Sequence, residues 1–263
     1  FTKLSEGSYQ FIMPDYDVCV DFKCEEKAAS GTEAGDFIIS DANCNYSFDT
    51  TSRTLTLSGD GRATISMKSG VSSTTDCIKI KENSRITLTI KDLTVSAPQQ
   101  GVSGLTFPDN IGDCKLILEG TNQFTSNQGN TPAVCKKTFG KLTISGKGKL
   151  IAIATGANSN GIGSGDCGDL YIEGGTIYAK ASHDNMAIGH AKNGSNSVVY
   201  YTGGTVEGMC GDDTPYSHYG GLTGKDAEVI ITGGSLHSMN WGGTKFSTHT
   251  PPTNGSARVY LTT

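Results

Sequence analysis

The sequence predicts an all-β protein, a parallel β-helix or solenoid of about eight coils that follows a short β segment. The chain holds 35 glycines in 263 residues without the three-residue period of collagen. Between the glycines, β-branched and aliphatic residues alternate with polar residues in short runs, which is typical of strands joined by tight turns. A short motif also recurs about once every 30 residues, as expected of coils that stack into a solenoid.

The recurring motif reads apolar-x-apolar-x-Gly, with Asp in place of Gly in one copy, and it predicts a strand followed by a corner. Its copies begin at Leu55, Leu88, Leu116, Leu142, Leu170, Val199 and Val229, with a partial copy at Val259. Successive strand side chains face opposite ways, so the first and third positions should stack as an inward aliphatic column. Two further short apolar runs follow in the later copies, which predicts three strands per coil with right-handed crossovers.

The β-helix is expected to occupy residues 37–263. Residues 26–36 are charged or small, without large apolar side chains, which predicts a linker. Residues 1–25 are expected to form a separate β segment, either the stub of a preceding β repeat or an edge or donor strand.

Two stretches of the chain carry a resemblance to known families. The patterns L-T-I-x-G-x-G-x-L, x-G-I-G and I-x-G-G-T-I occur from Leu142 to Leu150, at 160–163 and at 172–177. Residues 140–240 thereby resemble the Gly-rich parallel β-helix repeats of bacterial surface proteins described as carbohydrate-binding-domain proteins. The run from Tyr9 to Phe22 is similar to the closing hairpin of an internalin-type B-repeat. Both resemblances imply an extracellular, cell-surface location.

The distribution of charged and apolar residues argues against a nucleic-acid partner and against a membrane span. The formal net charge is −5, and the lysines and arginines are scattered rather than gathered into a stripe that could neutralise a phosphate backbone. We therefore expect no nucleic-acid partner. No run of 18 apolar residues occurs, so no membrane span is expected.

The cysteines are even in number and dispersed, without CxxC pairs or zinc-type Cys/His spacing, which favours disulfides in an oxidising compartment. The eight disulfide candidates are Cys19, Cys24, Cys44, Cys77, Cys114, Cys135, Cys167 and Cys210. The spacing does not determine their pairing. Buried free thiols in a cytosolic protein are the alternative interpretation.

Outward-facing aromatic residues are the candidate ligand-binding groups. Tyr171 and Tyr200 occupy the same outward position one coil apart, so their rings should lie about 5 Å from each other. Tyr178, Glu207 and His237 should form a second outward column. Further candidates in the following loops are Asp212, Asp213, Tyr216, His218, Tyr219 and Trp241. Such groups suit stacking on sugar rings or anchoring a protein partner, whereas cross-strand stacking that only stabilises the sheet needs no ligand.

The sequence therefore favours an extracellular, surface-displayed, non-catalytic module that binds glycan or mediates adhesion. One alternative is a structural subunit that self-associates by end-to-end stacking or strand donation into filaments or a surface layer. A second alternative is a polysaccharide lyase or hydrolase, because Asp212 and Asp213 with His218 could act on glycosidic bonds or hold Ca²⁺. No other cofactor is expected, since the Gly-x-Gly-x-x-Gly run at 163–168 precedes a strand and not a phosphate-binding helix.

Overall fold

Alternating apolar and polar runs form strands, and no helix occurs among the residues that the computed structural model describes. These residues are 2–5, 8–10, 31–165, 167–182, 185–190, 198–209, 228–239, 245–246 and 258–261. The strands in chain order are β1 Thr2–Ser5, β2 Ser8–Gln10, β3 Thr32–Ala34, β4 Phe37–Ser40, β5 Asn45–Asp49, β6 Thr54–Ser58, β7 Asp60–Met67, β8 Cys77–Ile80, β9 Arg85–Lys91, β10 Thr94–Ser96, β11 Leu105–Phe107, β12 Cys114–Glu119, β13 Thr121–Ser126, β14 Val134–Lys136, β15 Leu142–Gly146, β16 Lys149–Ala154, β17 Ile162–Ser164, β18 Leu170–Ile172, β19 Thr176–Lys180, β20 Ile188–His190, β21 Val198–Tyr201, β22 Thr205–Met209, β23 Glu228–Ile231, β24 Ser235–Met239, β25 Lys245–Phe246 and β26 Arg258–Leu261.

The chain divides into two compact units, Phe1–Ser30 and Gly31–Thr263. In the first unit, β1 and β2 form an antiparallel pair. The second unit contains three sheets whose strands come from successive passes of the chain. The first sheet has the order β3-β4-β7-β9-β12-β15-β18-β21-β23-β26, the second β10-β13-β16-β19-β22-β24-β25, and the third β5-β6-β8-β11-β14-β17-β20.

The second unit is a parallel β-solenoid, as the motif predicts. Each turn takes one strand from the third sheet, one from the first and one from the second, and equivalent strands pair in parallel with those of the next turn. Five complete three-strand turns occur in the described residues: β8–β10, β11–β13, β14–β16, β17–β19 and β20–β22.

The expected number of eight coils is therefore wrong, for a reason visible in the first copy of the motif. Leu55 lies on β6 in the third sheet, whereas Leu88 lies on β9 in the first sheet and pairs with Ala63 of β7. Gly59 has a φ of +83°, which favours glycine and lets the chain turn directly from β6 into β7. The same motif thus ends strands of two different sheets. The copies at Val229 and Val259 do continue the first sheet, but the described residues include no third-sheet strand that precedes either copy.

The inward aliphatic column is confirmed. Leu88, Leu116, Ile144 and Ile172 pair in register along the first sheet, and all four are fully buried. Stacking these side chains removes apolar surface from water along the whole row, which is the main stabilising contribution of a solenoid core. The motif copies do not all align, however, because Leu116 pairs with Ile144 rather than with Leu142. A displacement of two residues keeps every side chain on its original face.

Antiparallel strands cover the N-terminal turn of the solenoid. β3 and β4 form a hairpin that pairs onto β7, and β5 pairs onto β6. β3 lies within 26–36, so part of the expected linker belongs to the folded unit. An ion-pair network fastens this region: Arg53 contacts the carboxylates of Asp36 and Asp76, and the fully buried Asp76 also accepts a hydrogen bond of 2.9 Å from the Asp36 backbone N–H.

A stack of buried hydroxyl groups joins successive turns at the corner between the second and third sheets. The backbone N–H of Gly101 donates to Thr131 Oγ1 at 2.7 Å, that of Thr131 donates to Ser159 Oγ at 2.9 Å, and that of Ser159 donates to Ser182 Oγ at 3.0 Å. Each hydroxyl satisfies a backbone donor of the preceding turn, which allows the corner to be buried without an orphaned N–H group.

Candidate binding surface

Tyr171 and Tyr200 form a stacked pair on the outer face of the first sheet. The alternation of buried and half-buried residues along β18 and β21 turns both side chains outward, and the two residues pair in register. Their ring centroids are 4.1 Å apart with an interplanar angle of 11°, so the predicted neighbouring position is confirmed. The Nζ atom of Lys141 lies 3.7 Å from the centroid of Tyr171. One face of Tyr171 therefore contacts Tyr200, and Lys141 makes a cation–π contact with the same ring.

This arrangement changes what Tyr171 can do. A ring held between a second ring and an ammonium group has no free face on which a sugar can stack, although its edge and hydroxyl remain at the surface. Burial raises the pKa of the Tyr171 hydroxyl to about 12, and the hydrogen bond to Tyr200 is the second cause. The hydroxyl is thus protonated at neutral pH. The geometry fits a cross-strand contact that stabilises the sheet.

The second sheet carries a different surface on its outward face. Tyr178 pairs in register with Ile151 on one side and with Glu207 on the other, and β24 places His237 at the next position of this row. The predicted column of Tyr178, Glu207 and His237 is therefore confirmed as a backbone register, while the His237 side chain lies outside the described part of the structure.

A second outward row, formed by Ile153, Lys180 and Met209, lies two residues further along the same strands. The two rows give an array of three strands by two positions, which we call the platform; it consists of Ile151, Ile153, Tyr178, Lys180, Glu207 and Met209. All six residues are half-buried. The buried Ala152 and Ala179 beneath them fix the strands to the core, so the platform stands on a rigid backbone.

Tyr178 is the aromatic residue of the platform, and its ring stacks on no other ring among the described residues. Its hydroxyl lies 3.8 Å from the sulfur of Met209. Burial raises the pKa of this hydroxyl, and the charge of Glu207 adds to the effect. Tyr178 therefore combines an apolar ring with a hydroxyl that stays protonated and a neighbouring carboxylate.

The remaining predicted site residues, Asp212, Asp213, Tyr216, His218, Tyr219 and Trp241, lie outside the described residues. Their binding roles, and a Ca²⁺ site at the two aspartates, stay predictions. Within the described ranges, no group of three or more His, Cys, Asp or Glu side chains is arranged to hold a metal ion. The described residues also include no helix long and apolar enough to cross a membrane.

The disulfide expectation fails for the five described cysteines, which are all free thiols. Cys77, Cys114, Cys135 and Cys167 are buried, where cysteine serves as a small apolar residue. Burial raises the pKa of Cys77 and Cys135 to about 11 and that of Cys167 to about 12, so these thiols stay protonated and unreactive at neutral pH. Cys19, Cys24 and Cys210 lie outside the described residues.

The buried charge of Lys136, like that of Asp76, was not predicted from the sequence. Lys136 is fully buried, and its Nζ donates hydrogen bonds to the carbonyl oxygens of Lys137 and, at 3.1 Å, Phe139. Burial lowers the pKa of this ammonium group. The signal was present in the sequence, because Lys136 lies two positions after the inward Val134 and must share its face. These two hydrogen bonds tie the ammonium group to the turn that follows β14, in which the Phe139 side chain is exposed.

Comparison with protein-family models, with curated proteins and with solved structures finds no match to this chain.

Proposed function

We propose that this chain is a non-catalytic, extracellular module that binds glycans at a cell surface through the platform. The observation that carries the proposal is the register of Tyr178 between Ile151 and Glu207 on a rigid parallel sheet. Glycans expose apolar C–H faces beside hydroxyl groups, and an aromatic ring next to hydrogen-bonding side chains is complementary to both.

The open, extended form of the platform and its rigid backbone support this function further. The three strands pair in parallel about 4.8 Å apart, so side chains of adjacent turns form an extended surface rather than a closed pocket. An extended surface suits a polymer, which is bound by several weak contacts in a row. Because the strands are already fixed by the core, binding orders few side chains and loses little conformational entropy.

The two alternatives receive less support from the described residues. The lyase or hydrolase alternative rests on Asp212 and Asp213, which lie outside the described residues. The platform itself contains the single carboxylate of Glu207, whereas glycoside hydrolysis generally uses a pair of carboxylic acids. End-to-end stacking at the N-terminal turn would have to displace β4 and β5, because these strands already pair with β7 and β6, the outermost parallel strands.

The test is binding of the purified chain to a glycan array and to a panel of insoluble polysaccharides. Tyr178→Ala is expected to weaken binding about tenfold, as expected when a central aromatic contact is removed. Tyr46→Ala is the matched control, because Tyr46 is an exposed tyrosine on β5 in another sheet. Absence of binding to every glycan, or equal loss in the two variants, would contradict the proposal.

A further inference from the structure

A shallow groove of about 650 Å³ runs along the corner between the first and second sheets. It belongs to the turns that contain β12–β13 and β15–β16. Its walls include Ile117, Glu119, Thr121, Lys147, Lys149 and Thr176. The last three lie where β15 leads into β16 and where β19 begins, so the groove adjoins the strands that carry the platform.

The groove exists because the corners of these two turns are one residue longer than those of the next turns. Ile151 follows Ile144 by seven positions along the chain, whereas the residues paired with them, Tyr178 and Ile172, are six positions apart. Glycines then keep the longer corner free of side chains. A Cβ on Gly148 would lie 2.7 Å from the backbone nitrogen of Glu119, so a side chain there is excluded.

The rim of the groove carries two exposed ammonium groups. Lys147 and Lys149 are two positions apart, and neither forms an ion pair with a carboxylate of the described residues. The exposed hydroxyl residues Thr121 and Thr176 pair with Lys149 on either side. Two ammonium groups and two hydroxyl residues thus lie together with one carboxylate, that of Glu119, at a concave site in a chain whose net charge is −5.

Lys149 also connects the groove with the platform. Lys149 and Ile151 are alternate residues of β16 and face the same way, so they are about 7 Å apart along the strand. A polymer lying across Ile151 and Tyr178 would bring its neighbouring substituents to Lys149.

We propose that the groove binds a sulfate ester on the glycan that occupies the platform, an inference that rests on the proposed function. Two lysines act as compact point charges with rotatable donors, which suit a tetrahedral oxyanion that presents oxygens in several directions. A planar carboxylate is matched better by the fork of an arginine, and the walls of the groove contain none. The hydroxyls of Thr121 and Thr176 supply further donors.

The test compares three polymers that share one backbone: dextran sulfate, carboxymethyl dextran and unmodified dextran. Lys147→Gln with Lys149→Gln is expected to lower the affinity for dextran sulfate about tenfold in calorimetry at fixed salt, since two charge contacts are lost. Lys79→Gln with Lys81→Gln is the matched control, because these exposed lysines are also two positions apart but lie at β8 in the third sheet. The control should change the affinity less than twofold.

The outcomes separate this inference from the proposed function. Equal losses in the two double variants would reveal non-specific attraction and overturn the groove site, and equal affinities for the sulfated and carboxymethylated polymers would overturn the ester assignment. If Tyr178→Ala weakens glycan binding but the Lys147 and Lys149 variant does not, the platform stands and the groove site falls. If none of the three dextrans and no glycan of the array binds, both proposals fall.

Discussion

The stacked pair Tyr171 and Tyr200 allows a quantitative test of whether these rings stabilise the sheet. Their centroid separation of 4.1 Å and angle of 11° describe a close aromatic contact, and such pairs are coupled by about 1 kcal/mol beyond the area they bury. In a double-mutant cycle, Tyr171→Ala and Tyr200→Ala should each lower the free energy of unfolding. Together they should lower it by about 1 kcal/mol less than the sum of the single changes, because the first substitution already removes the contact.

The assay is urea unfolding of the four proteins followed by circular dichroism, with the free energy of unfolding taken from linear extrapolation. Tyr46→Ala combined with Tyr171→Ala serves as the control, since Tyr46 lies in another sheet and the two effects should add within about 0.5 kcal/mol. A coupling below about 0.3 kcal/mol between Tyr171 and Tyr200 would refute the stacking argument. Loss of glycan binding in Tyr171→Ala at unchanged stability would show instead that this ring is a ligand contact.

Three further predictions concern the corner glycines, the N-terminal network and the buried thiols. Gly146→Ala should destabilise the fold by about 2 kcal/mol in urea unfolding, because the φ of Gly146 is +104° and a Cβ would lie 2.4 Å from a carbonyl oxygen of the preceding turn. Gly165→Ala is the control: a Cβ at Gly165 would meet open space, so this change should alter the free energy of unfolding by less than about 0.5 kcal/mol. Arg53→Gln should cost about 3 kcal/mol because it leaves the Asp76 carboxylate buried without its ion-pair partner, and a thermal shift no larger than that of an exposed-arginine control would contradict this. Burial raises the pKa of the Cys135 thiol from 9.0 to about 11, so the native state holds the proton more tightly than the unfolded state does. The resulting contribution to the free energy of unfolding, about 3 kcal/mol, is present below pH 9 and is lost as the pH rises toward 11. Cys135→Ala should flatten this alkaline decline in stability, and an unchanged pH profile would count against the reasoning.

The repeat made the class of fold predictable. The alternation of side chains along a strand made it predictable whether most strand residues point into the core or toward solvent. Leu88, Leu116, Ile144 and Ile172 had to share a buried face whichever coils they paired with, because side chains alternate along every strand. Tyr171 and Tyr200 could be assigned to neighbouring outward positions for the same reason. The number of turns was not predictable from the motif, since strands of two sheets end in the same apolar-x-apolar-x-Gly pattern.

Some contacts of the candidate site were also predictable from the repeat, whereas others required the structure. That Tyr178 and Glu207 are neighbours follows from the repeat, because the spacing of successive copies sets the pairing of the strands. The contact between Lys141 and the ring of Tyr171 depends on the conformation of the long lysine side chain, which the periodicity of the sequence does not determine. The free thiols also required the fold, because disulfides need cysteines that meet at bonding distance, and an even count says nothing about that distance.

By itself, the sequence determined the solenoid, its inward aliphatic rows and its outward aromatic columns, because these follow from a period of two along the strand and a recurring length per coil. Only the tertiary structure decided the register of each turn, the cap of β3 to β5 over the first turn, and the groove beside Lys147 and Lys149. The groove depends on a single extra residue at a corner, and the N-terminal cap depends on strands that pair antiparallel instead of parallel. Such differences change which side chains meet between turns while leaving the local pattern of each strand unaltered.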